Sequence, residues 1–157
     1  MKSDDEIAQR GVGRIPPPSS PAVSRVMKGN RGKDTTPELL MRAALRKAGI
    51  PGYRLHWKKA PGSPDIAYPG RRIAIFVHGC YWHSCPTCDI PIPQTNTEYW
   101  QTKFERNRAR DERKKQRLEE MGWKVFVIWE HEVKEDPLAC AQRVKDYIDA
   151  VSAKASR

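Results

Sequence analysis

The chain has 157 residues, enough for one domain with one moderate core and little left for a second. Its 29 Lys and Arg against 19 Asp and Glu leave a formal net charge of +10, which favours a polyanionic partner, because basic side chains displace counterions condensed on phosphates. No apolar run approaches the about 18 residues that a membrane span needs, and the acidic, then proline-rich start is unlike a secretory leader. A membrane partner is therefore not expected, a cytoplasmic location is, and the 4 cysteines are expected to be reduced.

In chain order, residues 1–22 contain Ile15-Pro16-Pro17-Pro18-Ser19-Ser20-Pro21 and are expected to be a disordered polyproline-type tail. The basic segment with Arg25, Met27, Lys28, Asn30, Arg31 and Lys33 reads either as an arm over 23–35 lying along DNA or as a solvated linker. Asp34 to Glu38 opens a helix with Thr36 as N-cap and Pro37 in the first turn. Leu39, Leu40, Ala43, Ala44 and Leu45 give it an apolar face, and Gly49 stops it. Short strands are expected over Tyr53 to Trp57 and Asp65 to Tyr68, separated by the turn Pro61-Gly62-Ser63-Pro64. Arg72 to His78 is nearly all apolar and predicts a strand buried on both faces. Glu98 to Met121 predicts a long charged helix whose few apolar residues are Trp100, Phe104 and Leu118. Lys124 to Trp129 predicts another buried strand, and Pro137 to Ala155 a closing helix with Leu138, Val144, Ile148 and Val151 on its inner side. The order implies one α/β domain over 23–155, built around a mixed central sheet flanked by helices.

Two groups carry chemistry. Cys80-x4-Cys85-x2-Cys88 sets three soft thiolates in one short loop, a spacing suited to structural Zn²⁺. A closed site needs a fourth ligand, which spacing alone leaves open among Cys140, His131 and His83. Asp65 starts one strand, while the next runs into His78, with His83 a few residues on. A carboxylate and imidazoles meeting at a sheet edge suit Mg²⁺, which takes few protein ligands and leaves room for water and phosphate. The ordinary alternatives are a turn carboxylate and histidines that pack or bind zinc. Tyr81 and Trp82 are either core aromatics or a wedge able to part base pairs.

Four ordered blocks resemble the very-short-patch (Vsr) mismatch-repair endonucleases. They run from Ser24-Arg25-Val26-Met27 through Arg31-Gly32-Lys33-Asp34-Thr35-Thr36-Pro37-Glu38, then Gly62-Ser63-Pro64-Asp65, then Phe76-Val77-His78-Gly79-Cys80-Tyr81-Trp82-His83, and finally Val127-Ile128-Trp129-Glu130. Glu98-Tyr99-Trp100 and the stretch from Asn107 to Asp111 also fit. The resemblance implies a fold like the type II restriction endonucleases. It also implies a Mg²⁺-dependent nick 5′ of the thymine in a T:G mismatch left by 5-methylcytosine deamination. By this likeness Asp65 and the backbone carbonyl of Val77 bind Mg²⁺, His83 is the general base oriented by Asp111, His78 assists at the scissile phosphate, and Glu38 supports the site. Tyr81, Trp82 and Trp100 form the wedge, Met27 enters from the other groove, and Arg25, Lys28, Arg31, Lys33 and Asn107 contact DNA.

The same likeness selects His131 over Cys140 as the fourth zinc ligand. Tyr81 stands where the family often has Phe, and Asn30 where it often has an apolar residue. The implied partner is double-stranded DNA, the protein a monomer, and the functional links a cytosine-5 DNA methyltransferase and general mismatch-repair proteins. Two alternatives remain at this point: an endonuclease of a restriction system cutting matched duplex, and a non-catalytic zinc-stabilised DNA-binding protein.

Overall fold

The computed structural model describes residues 33–156, so the expected tail and the arm residues Arg25, Met27, Lys28, Asn30 and Arg31 lie outside the described residues. The first helix, α1, spans Thr36–Lys47. Its N-cap is Thr35 rather than Thr36, because the side chain that must reach back stands at Glu38, three residues beyond Thr35. Thr35 N–H donates to Glu38 Oε2 at 3.0 Å, and Glu38 N–H donates to Thr35 Oγ1 at 3.4 Å. Gly49 takes φ +82° just past the last turn, as a helix stop requires.

The sheet has four strands in the order β1-β2-β3-β4: Arg54–Leu55, Ile66–Tyr68, Ile73–His78 and Lys124–Trp129. The first two pairings are antiparallel and β3–β4 is parallel, giving the mixed sheet expected. A parallel neighbour needs a crossover, and the long helix α2, Thr97–Glu120, lies within it. A short helix α3, Glu130–Glu135, and the closing helix α4, Pro137–Ala155, follow β4.

Side-chain alternation along β3 divides the core into two layers. Ile73, Ile75 and Val77 join Met41, Ala44 and Leu45 of α1 and Cys140, Ala141, Val144 and Ile148 of α4. Ala74 and Phe76 face the other way, toward Leu118 of α2 and Val125. All six residues of β3 are buried, as the sequence predicts. The sequence predicts a buried strand here too, but β4 lies at the sheet edge, and only Val125 and Ile128 of it are buried.

Three expectations need correction. Leu39 and Leu40 point outward (49 % and 37 % exposed), because the inward stripe of α1 runs through Met41, Ala44 and Leu45. Leu138 and Val151 are likewise exposed, and the buried stripe of α4 is Cys140, Ala141, Val144 and Ile148. Finally, α3 was not expected. Its six residues are too few to show a helical period, yet they sink Val133 fully into the core, and Glu132 Oε2 caps the turn by accepting Trp129 N–H at 2.9 Å. No helix among the described residues is long and apolar enough to cross a membrane.

Candidate active site

β2 and β3 pair so that Ile66 faces Ile75, which sets Asp65 diagonally from Val77. Val77 N–H donates to Asp65 Oδ2 at 2.8 Å. Helix α1 adds a second carboxylate, Glu38, only 3 % exposed. Burial, reinforced by Glu38, pushes Asp65 up to about 7 against the opposing pull of the Val77 N–H. A cation would relieve this crowding of two carboxylates, so the donor set fits a hard divalent ion such as Mg²⁺.

At the end of β3, His78 is buried and stacks on His83, with ring centroids 4.0 Å apart and planes 5° from parallel. Burial, and then His83, lower His78 to about 4, so it is neutral at physiological pH. His83 Nδ1 lies 2.6 Å from Asp111 Oδ2 on α2. Although burial opposes it, the bond to His83 and the nearby basic groups hold Asp111 below the usual carboxylate range. An ionised carboxylate only accepts, so Nδ1 carries the hydrogen and Nε2 offers a free lone pair. Glu38, Asp65, Val77, His78, His83 and Asp111 all line one cleft of about 930 Å³, as do Lys33 and Asn107.

Of the aromatic residues, Trp82 lines this cleft, while Tyr81 lines a separate pocket. Tyr81 and Trp82 are half-buried, edge to face at 5.0 Å, and Tyr81 also packs on Phe104. Asn107 Nδ2 donates to the Trp82 carbonyl at 2.9 Å, so Asn107 anchors the loop as well as facing the cleft. Trp100 is 4 % exposed and packs beside Trp82 and Phe104, so it is not presented for insertion as a wedge would be.

The sequence reading missed several residues that line the cleft or, like Arg42, lie behind it. Lys103 Nζ sits 4.9 Å from the Trp82 ring and 5.2 Å from that of Trp100. Arg42 links Asp34 (2.6 Å) to Glu38 (3.7 Å), and His56 reaches Asp34 at 3.4 Å. Lys114 lines the cleft one turn beyond Asp111. Helical spacing from Asn107 and Asp111 points to Lys103 and Lys114; nothing in the sequence joins Asp34 to His56.

Because β3 and β4 are parallel neighbours, the segments leaving them start side by side. The three thiols after β3 therefore meet His131 of α3: its Nδ1 lies 3.3 Å from Cys80 Sγ, 3.6 Å from Cys85 Sγ and 3.3 Å from Cys88 Sγ. Zn–S bonds of about 2.3 Å and Zn–N bonds of about 2.0 Å imply tetrahedral edges of roughly 3.4–3.8 Å, which these separations nearly match. Burial and the two neighbouring thiols push Cys88 up to about 12, a conflict that a bound dication removes. Cys140 is elsewhere, packed in the α1–α4 core.

The family profile described as DNA mismatch endonuclease Vsr matches residues 20–88. The chain is 41 % identical over 124 residues to the type II nicking enzyme V.XorIIP of Xanthomonas oryzae pv. oryzae, covering 79 % of this chain and 90 % of that one. It is 39 % identical to the type II nicking enzyme V.NaeI of Lentzea aerocolonigenes, over 81 % of this chain and 78 % of that one. It is 36 % identical to the DNA mismatch endonuclease Vsr of Escherichia coli (strain K12), over 68 % of each. With a mixed sheet flanked by helices that fits an α/β nuclease, these likenesses make the chain a member of the Vsr family of DNA endonucleases.

Proposed function

We propose that the protein nicks one strand of duplex DNA immediately 5′ of the thymine of a T:G mismatch, using Mg²⁺, within a restriction-endonuclease-like fold stapled by Zn²⁺. The observation that carries the reading is the meeting, in one cleft, of the half-buried Asp65 carboxylate and the His83–Asp111 pair, beside the Tyr81–Trp82 loop. A zinc-stabilised binding protein would need the charge and the thiolates, but not this trio.

Asp65 and the Val77 carbonyl would hold Mg²⁺, with Glu38 behind them. Bound there, the ion would polarise the phosphate and acidify a water. His83 Nε2 accepts the proton of the attacking water while Asp111 fixes the ring and stabilises its charged form. The water oxygen bonds to phosphorus, the bond to the departing sugar oxygen breaks, and solvent protonates that oxygen. Neutral His78 donates a hydrogen bond to the phosphate without adding charge. Tyr81 and Trp82 enter the stack beside the mismatch, and Asn107 holds their loop. Trp100 joins them only if binding uncovers it. Lys33 and the arm residues Arg25, Met27, Lys28 and Arg31 approach from the other groove. Zn²⁺ on Cys80, Cys85, Cys88 and His131 fixes the loop that carries His83.

A duplex oligonucleotide with one T:G pair, incubated with the purified protein and Mg²⁺, is expected to be cut once, on the T strand. Equal cutting of the T:A duplex would overturn mismatch specificity and favour a restriction-type role. No cutting of either duplex would overturn the nuclease assignment.

A further inference from the structure

Lys114 belongs to none of the motifs above. Lys103, Asn107, Asp111 and Lys114 follow one another at helical spacing, and all four face the cleft from α2. The stem of Lys114 passes over the turn that leads into Asp65. A Cβ added to Gly62 would lie 2.7–2.9 Å from Lys114 Cγ, Cδ and Cβ, so the stem runs through space that only a glycine leaves open. That turn therefore confines the side chain on one side and α2 on the other. Its charge acts on Asp65, His78 and Asp111, lowering each. Yet among the described residues it makes no ion pair within 4 Å. The result is a confined cation that acts on two carboxylates and an imidazole without a partner at ion-pair distance.

We infer that Lys114 is a further catalytic residue, whose ammonium pairs with a non-bridging oxygen of the phosphodiester being cut. The inference rests on the nuclease reading of the same cleft. A cation held there opposes the negative charge that grows on the phosphate oxygens as water adds, and it gives up no proton. Confinement by Gly62 means little side-chain freedom is lost when the phosphate arrives.

The test uses the full-length, zinc-loaded enzyme. Lys114→Met keeps the stem against Gly62 and removes only the charge. Single-turnover nicking of a saturated T:G duplex is expected to slow about 10- to 100-fold, with zinc content and melting temperature unchanged. Lys114→Arg is expected to restore most of the rate. The salt slope of duplex binding should fall by about one counterion.

Wild-type rates in Lys114→Met, an early melt that Arg does not rescue, or an unchanged salt slope each overturn the assignment. A wild-type enzyme that cuts nothing overturns the nuclease reading instead, and the salt slope then still decides whether Lys114 meets a phosphate.

Discussion

A single carboxylate sets much of the chemistry at Asp65. Its pKa in the folded protein, about 7, lies above the ordinary 3.8. The metal-free protein therefore has this contribution in full below pH 4 and loses it as pH rises through 7. Melting temperature without Mg²⁺ is expected to fall between pH 5 and 8, and added Mg²⁺ to recover it at pH 8. Asp65→Asn should flatten that fall, stabilising the metal-free protein by about 1–3 kcal/mol at pH 8, while abolishing nicking. Thermal melts across pH, with and without Mg²⁺, check both signs. Because a bound cation opposes protonation of Asp65, the acid limb of nicking by the wild type should move to lower pH as Mg²⁺ concentration rises. Asp111→Asn should cost about 100-fold in nicking with zinc retained, because the carboxamide no longer enforces the Nδ1–H tautomer. If Asp111→Asn nicks at the wild-type rate, His83 is not the base.

How much of this was legible depended on distance along the chain. Residue chemistry alone brings Asp65 near His78 and His83, through neighbouring strands. It does not bring in Asp111, 28 residues from His83 on a helix whose rotation is fixed only by packing. That pairing, and the choice of His131, came from resemblance. Helical spacing from Asp111 pointed to the face that carries Lys114, but the Asp34–Arg42–His56 network left no trace in either, because it exists only once helix and strands are assembled.

At the scale of elements, β3 was readable in full, since six consecutive buried residues leave little ambiguity. Helix faces were less so. Apolar residues marked α1 and α4, but Leu39, Leu40, Leu138 and Val151 share a hydropathy with the buried stripe without sharing its direction. The short α3 was invisible, although it positions His131. A zinc ion held by Cys80, Cys85, Cys88 and His131 would staple this element to the loop after β3. His131→Ala is therefore expected to lose zinc, measured by atomic absorption, and to melt more than about 10 °C lower. Cys140→Ser should keep zinc and cost about 1–2 kcal/mol, the penalty of a hydroxyl in an apolar core. Loss of metal in Cys140→Ser would refute the ligand set.

At the scale of the whole molecule, the sheet explains why the Tyr81–Trp82 loop, the Cys₃His cluster and the stacked histidines crowd together. All three follow from the same end of the sheet, where parallel β3 and β4 finish at His78 and Trp129. The charge of +10 belongs to the whole chain, so binding to any duplex should weaken with salt. With about six phosphate contacts, affinity is expected to fall about 10³-fold between 50 and 200 mM salt. Fluorescence anisotropy would measure it, and a flat dependence would show that charge does little of the binding.

Gly62 and Lys114 carry a consequence for descent. The missing Cβ at one position is the room taken by the side chain at the other, across two elements far apart in sequence. Related enzymes that place any larger residue at position 62 must have a shorter or redirected one at position 114, and they also bear the strain of φ +77°. A change at position 62 should therefore be accompanied by one at position 114, while position 114 can vary with Gly62 kept.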